Sequence, residues 1–241
     1  MQIAVLSDLH LGVKDGLDRF GRHDGAEDAF VSLLERLENS VDKIILLGDI
    51  FETLRGAAPG SKKSELMKAL ACYPRIAKRA LEDRRYQLIQ GNHDAIVTRA
   101  LGTPDLHVID DDGLRLAFFH GHQLDPIARG HAPLSRIAVW LGGWLERIGL
   151  PITAWEDWLH RAELDVNQDG LVHEPDRFAR AAVAFANEHQ KADVVITGHT
   201  HRAMRTEIAG SMFMNSGTCT GGRLEHLIID TTTKRFDIHR G

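Results

Sequence analysis

A chain of 241 residues with 43% hydrophobic content can bury a sizeable core, and suits one α/β domain or a core carrying an insertion. With 29 basic against 34 acidic residues the formal charge is −5, which gives no general nucleic-acid-binding field. Two cysteines without C-x-x-C spacing, Cys72 and Cys219, exclude a disulfide framework, and no run reaches the ~18 apolar residues of a membrane span. The opening from Met1 to Asp8 has no basic stretch ahead of an apolar one, so the expectation is a soluble cytoplasmic protein without a signal peptide.

In chain order, short apolar runs end repeatedly in polar punctuation. Residues 3–6 end at Ser7-Asp8, 43–47 at Gly48-Asp49, 87–90 at Gly91-Asn92-His93, 114–119 at His120-Gly121 and 193–197 at Gly198-His199. Their length and β-branched content predict buried strands. Helical periodicity over 27–37 and 64–81 separates several of them, which argues for an α/β layered core. Residues 123–190 break the pattern: they show no strand, contain helical segments and hold all four tryptophans, Trp140, Trp144, Trp155 and Trp158. This stretch reads as a helical cap inserted into a single domain spanning 1–241. The tail predicts short strands at 212–215, 224–230 and 235–239.

In open α/β sheets ligands collect at the carboxyl ends of strands. All five predicted ends carry Asp, Asn or His, in the series Asp8-x-His10, Gly48-Asp49-x-x-Glu52, Gly91-Asn92-His93-Asp94, His120-Gly121-His122 and Gly198-His199-x-His201. Carboxylate and amide oxygens mixed with imidazoles, without thiolates, suit Mn foremost, with Fe, Zn or Co as alternatives. Asp49 follows its strand directly, where a carboxylate can bridge two ions. The Asp-x-His and His-x-His pairs are read as extended segments whose alternate side chains point the same way, and the glycines as providers of tight turns. Each motif alone is weak; five in order, each at a strand end, are specific.

The set resembles the calcineurin-like metallophosphoesterase superfamily, over the motifs from Asp8 to His201. The resemblance implies a four-layer αββα sandwich: two mixed sheets flanked by helices. It also implies that Asp8, His10 and His201 hold one metal, that Asn92, His120 and His199 hold the second, and that Asp49 bridges them. His93 corresponds to the family's proton-handling histidine and Glu52 to the acid that orients it. The implied reaction is hydrolysis of a phosphodiester, phosphomonoester or pyrophosphate bond by a metal-bridging hydroxide. His122 is left unassigned, either behind the ligands or facing substrate.

Narrower readings follow. The Leu47 to Glu52 segment and the insertion look like the branch containing UDP-diacylglucosamine pyrophosphatases of lipid A synthesis. Leu134, Ile137, Trp140, Leu141, Trp144, Leu145 and Ile148 recur at helical spacing among Arg129, Arg136 and Arg147, a stripe that would hold a lipid tail, touch the inner membrane face or pack the cap on the core. His93 stands where that branch commonly has arginine, which leaves a general phosphoesterase open. The expected partner is a small phosphate compound, nucleotide-linked and lipid-linked ones included. Arg19, Arg22 and His23 are candidate substrate contacts weighed against a solvated loop, and Arg75, Lys78, Arg79, Arg84 and Arg85 read as a solvated helix face. Asp165, Asn167, Asp169 and Asp176 match positions 1, 3, 5 and 12 of an EF-hand-like calcium loop, weighed against metal-free helix capping. The rival of another class is an inactive binding module with this fold.

Overall fold

Apolar runs from the two ends of the chain pair in one sheet. The structure, a computed structural model, describes residues 1–55, 62–124, 176–189 and 191–241. Strand β1 (Gln2–Leu6) runs parallel to β2 (Lys43–Leu47), and β2 runs parallel to β3 (Tyr86–Ile89). On its other side β1 pairs antiparallel with β9 (His226–Asp230), which pairs antiparallel with β10 (Arg235–His239). The second sheet has the order β4 (Leu106–Asp111), β5 (Leu114–Phe119), β6 (Val194–Thr197), β8 (Ser211–Asn215), β7 (Met204–Ile208). In it β5, β6 and β8 are mutually parallel.

The strand periodicity of two decides the layers. Ala4, Leu6, Ile44 and Leu46 pack outward against helices α1 (Ala26–Glu38), α2 (Lys63–Cys72) and α3 (Pro74–Glu82). Ile3, Val5, Ile45 and Leu47 point the other way and meet Leu116, Phe118, Val194 and Ile196 between the sheets. Ala117, Phe119 and Val195 then face Ala179, Ala182, Val183 and Ala186 of α5 (Arg177–His189). The expected αββα order is therefore present. Each fully buried aliphatic side chain contributes ~1.5–3 kcal/mol, so the inter-sheet core rigidly fixes one set of strand ends against the other.

Several local expectations are corrected. The helix over 64–81 is two helices, because Pro74 has no N–H to continue α2 and instead opens α3, with Tyr73 turned out of the helical region. Strands β4 and β7 and the short helix α4 (Ile96–Leu101) had no counterpart in the sequence reading. The β4–β5 hairpin turns at Asp112-Gly113, both at positive φ, an Asp-Gly signal that was there to be read. Strand β9 starts at His226, not 224.

Within 123–190, α5 packs on the second sheet. The Trp-rich stripe and Asp165, Asn167 and Asp169 lie outside the described residues. Asp176 is described: its Oδ1 accepts the Ala179 N–H at 2.7 Å, as a helix cap does. Among the described residues no helix is long and apolar enough to cross a membrane.

Candidate metal centre

The carboxyl ends of β1, β2 and β3 meet those of β5 and β6, and every predicted ligand sits just past one of these ends. The backbone there is not extended. Asp8, His10, Asp49, His199 and His201 have φ of 54°, 53°, 52°, 73° and 54°. The alternation argument for Asp-x-His and His-x-His is thus corrected: left-handed turns, not strand geometry, aim these side chains together. Sequence-distant bonds impose the turns, with Asp8 N–H donating to Gly48 O at 3.1 Å and His10 N–H to Asp49 O at 2.9 Å. Two of the glycines also act differently from the expectation. A Cβ on Gly91 would collide with the Asp49 carboxylate and backbone nitrogen, and one on Gly198 would lie 2.7 Å from Asp8 Oδ2. They are needed for close approach rather than for a turn.

The donor atoms are held by one side and presented by the other. Asp8 Oδ2 accepts from Ser7 Oγ and from the His199 N–H at 3.0 Å. Asp8 Oδ1 has no hydrogen bond, although His201 Nε2 approaches it to 3.1 Å. Asp49 Oδ1 accepts the His93 N–H at 2.8 Å, and Oδ2 lies 3.3 Å from His120 Nε2. His120 Nδ1 must be protonated, because at 2.9 Å it faces the Leu47 carbonyl, which can only accept. In the neutral ring Nε2 is therefore the nitrogen with the lone pair, and that atom is buried without a hydrogen-bond partner, as is Asn92 Oδ1. Three orphaned atoms on three candidate ligands fit a cation that needs lone pairs. Donor atoms of Asp8, His10 and His201 lie within 4.8 Å of one another, as do those of Asp49, His120 and His199, and of His10, Asp49 and His93. His10 and His201 bring their Nε2 atoms to 3.4 Å.

The electrostatics follow from burial and these neighbours. Burial pushes His10 and His199 down to about 4, His199 with help from His120, which keeps both neutral and able to ligate. Burial opposes the charge on Asp8, but His201 and His120 hold it down at about 2, and His120 and His93 likewise keep Asp49 well below the usual carboxylate range. His120, against its burial, is lifted to about 10 by Asp49 and Asp8.

Beside this cluster, His93 Nδ1 lies 2.8 Å from Glu52 Oε2, and His10 Nδ1 lies 3.6 Å from the same oxygen. Glu52 Oε1 is pinned by the N–H groups of Leu54 and Arg55 at 3.0 and 3.2 Å. Burial works against a charged His93, yet Glu52 and Asp49 raise it above its ordinary value.

Six of the seven predicted ligands, Asp8, His10, Asp49, His120, His199 and His201, thus converge with His93 and Glu52, and Asn92 directly precedes His93 in the same turn. His122 begins a short 3-10 turn with its ring 5.7 Å from that of His120, and belongs to none of the three donor groups. Arg22 and His23 are exposed, and Arg22 Nε closes its own loop on Gly16 O at 3.0 Å. Arg75, Arg79 and Arg85 are in ion pairs with Asp28, Glu35, Glu38 and Asp83, so the basic helix face is largely neutralised. The sequence reading missed the residues behind the ligands. Asn215 Nδ2 donates to Gly198 O at 2.6 Å and Thr218 Oγ1 to Asp8 O at 2.8 Å. Asp94, whose carboxyl burial and Asp49 push up to about 7, touches both ligand loops. Of these only Asp94 lay in a quoted motif.

Solved structures with related folds are distant in sequence. The chain is similar to a predicted phosphoesterase from Streptococcus pneumoniae TIGR4, at 15% identity and TM-score 0.46, covering 99% of this chain and 87% of that one. It is similar to wild-type Vps29 from Entamoeba histolytica complexed with zinc, at 15% identity and TM-score 0.46, covering 100% and 98%. A novel archaeal phosphodiesterase gives 16% identity and TM-score 0.48, covering 100% of both chains. No curated protein sequence matches the chain significantly. The calcineurin-like phosphoesterase family matches residues 1–203, a span that includes every candidate ligand from Asp8 to His201, and the chain belongs to that family.

Proposed function

We propose that this chain hydrolyses a phosphate ester or anhydride bond with two divalent metal ions. Asp8, His10 and His201 would hold one ion and Asn92, His120 and His199 the other, with Asp49 shared. The observation that carries this reading is the set of buried, unbonded donor atoms, Asp8 Oδ1, Asn92 Oδ1 and His120 Nε2, delivered by three different strand ends. Oxygen and imidazole donors suit Mn, with Fe, Zn or Co as alternatives. Cys219, whose Sγ donates to Glu225 O at 3.2 Å, belongs to none of the donor groups.

When bound, two such ions supply Lewis acidity at phosphoryl oxygens and a lowered pKa for water. The remaining work falls to the chain. Ser7 and the His199 N–H fix one oxygen of Asp8 so that the other is presented. The Leu47 carbonyl fixes the His120 tautomer. Glu52 holds the Nδ1 proton of His93, which leaves Nε2 as the atom that passes a proton to the departing oxygen, and the raised pKa keeps that proton available near neutrality. A binding module that had lost activity would tolerate a missing ligand or a missing His93, yet every position is filled.

The deciding experiment is Mn²⁺-dependent turnover of bis-p-nitrophenyl phosphate beside UDP-diacylglucosamine. Hydrolysis of either, abolished by chelation, supports the reading; no hydrolysis of these or of nucleotide and phosphomonoester substrates with any of the four metals would sink it. Preference for the sugar lipid would select the pyrophosphatase branch, a reading that rests on the motif resemblance and on residues 134–148.

A further inference from the structure

We infer that Asp94 is the positioning residue that sets the spacing between the two loops bearing Asp49 and Asn92. Its side chain is 1% exposed. Oδ1 accepts the Gly91 N–H at 2.7 Å, while Oδ2 accepts the N–H groups of Ile50 at 2.9 Å and Phe51 at 3.4 Å. One carboxylate therefore clamps the turn after β2 to the turn after β3. The clamp closes directly behind the two ligand positions, since Gly91 precedes Asn92 and Ile50 follows Asp49. Two further bonds lace the same loops: His93 N–H to Asp49 Oδ1 at 2.8 Å, and Thr53 N–H to His93 O at 3.2 Å. The tolerance is small, because Gly91 already approaches Asp49 too closely for a Cβ.

The choice of aspartate is dictated by the donors. Three N–H groups converge on two oxygens, so both must accept. Asparagine, equal in size, offers one acceptor and turns an NH₂ group towards N–H donors on the other side, which opens one arm of the clamp. In ion-binding sites the groups that hold the ligands typically govern affinity 10–100-fold. Asp94 thus acts through Asp49 and Asn92, touching neither ion nor substrate.

The inference rests on the two-metal reading, and its test separates the two. Amide exchange on the metal-free wild-type chain reads the clamp directly: Gly91, Ile50 and Phe51 should be protected. Exchange as fast as in an exposed loop overturns the inference. Calorimetric Mn²⁺ titration of Asp94→Asn should then show one of the two ions bound ~10–100-fold more weakly. The control is Tyr73→Phe, which removes a buried 2.6 Å hydrogen bond to Asp18 and should lower stability while leaving both affinities intact. Folded D94N that binds both ions like the wild type overturns the inference and leaves the metal reading standing. A wild-type chain that binds no Mn²⁺ overturns both. Should D94N fail to fold, the wild-type exchange pattern decides alone.

Discussion

Replacing His93 by alanine separates a proton donor from a structural histidine. His93 Nδ1 faces Glu52 Oε2 at 2.8 Å, and its side chain is 14% exposed, so the pair is shielded but open on one side. A positioned acid contributes about 10²–10⁴-fold when the leaving oxygen is a poor alkoxide, and little when it is already stable as an anion. His93→Ala should therefore cost ~10²–10⁴ in kcat for diesters with alkyl leaving groups, and less than ~10-fold for p-nitrophenolate. The assay is kcat across leaving groups of graded basicity, at saturating Mn²⁺. Since the donor must be protonated, the wild-type rate should fall as pH rises through the raised His93 pKa, and that limb should vanish in the variant. Glu52→Gln should move the limb to lower pH, because it removes the carboxylate that raises His93; a hydrogen bond to a charged group is worth ~1.5–3 kcal/mol, or about 10- to 100-fold in rate. A uniform loss across all leaving groups, with the alkaline limb intact, would refute the proton-donor role and leave His93 as a packing residue.

Asp49→Asn should abolish turnover, because an amide cannot place two anionic oxygens between two ions; near-normal kcat at saturating metal would sink the bridging assignment. Gly91→Ala should lower stability by ~1–3 kcal/mol, the range for overpacking, and weaken metal binding, since the added Cβ meets Asp49 backbone as well as its carboxylate; thermal melts and metal titration check both. Metal binding should release protons. His120 is held protonated to about pH 10 by Asp49 and Asp8 in the ion-free chain, and an ion must displace that proton. Affinity should therefore rise with pH through neutrality, measurable as proton release by calorimetry in buffers of different ionisation enthalpy; a pH-independent affinity would count against His120 as a ligand.

The parts of this molecule that could be read from sequence are those where chemistry and periodicity coincide. Strands β1, β2 and β6 are buried on both faces, so they appear as largely apolar runs, and a candidate ligand follows each run within two residues. Strands β4 and β7 lie at sheet edges, half exposed and carrying charges such as Asp110, Asp111, Arg205 and Glu207, and their alternation is too short to stand out. The Pro74 break was legible in principle, but the apolar spacing of α2 and α3 stays in phase across it. Asn215 and Thr218 were not legible as site residues, because their partners are loops made adjacent only by folding, Thr218 and Asp8 being 210 residues apart; Ser7 and Asp94 have one partner nearby in the chain, but their bonds to Ser216 and to Ile50 arise only on folding.

The left-handed backbone at the candidate ligands explains why so much polar scaffolding surrounds so small a cluster. Asp and His tolerate that region better than bulkier residues, yet each such position costs of order 1–3 kcal/mol. Five together approach the ~5–15 kcal/mol that separates a folded domain from its unfolded chain. Such turns persist only where the surroundings over-determine them, and here they do. Gly48 O and Asp49 O receive the Asp8 and His10 amides, Asp8 Oδ2 receives the His199 amide, and Asn215 holds the Gly198 carbonyl. These bonds are made by protein groups, so they fix the loops that carry the candidate ligands whatever those loops bind. Under the two-metal reading the free energy of ion binding would then go into coordination rather than into ordering the loops, the preorganisation that a carboxylate shared between two ions would require.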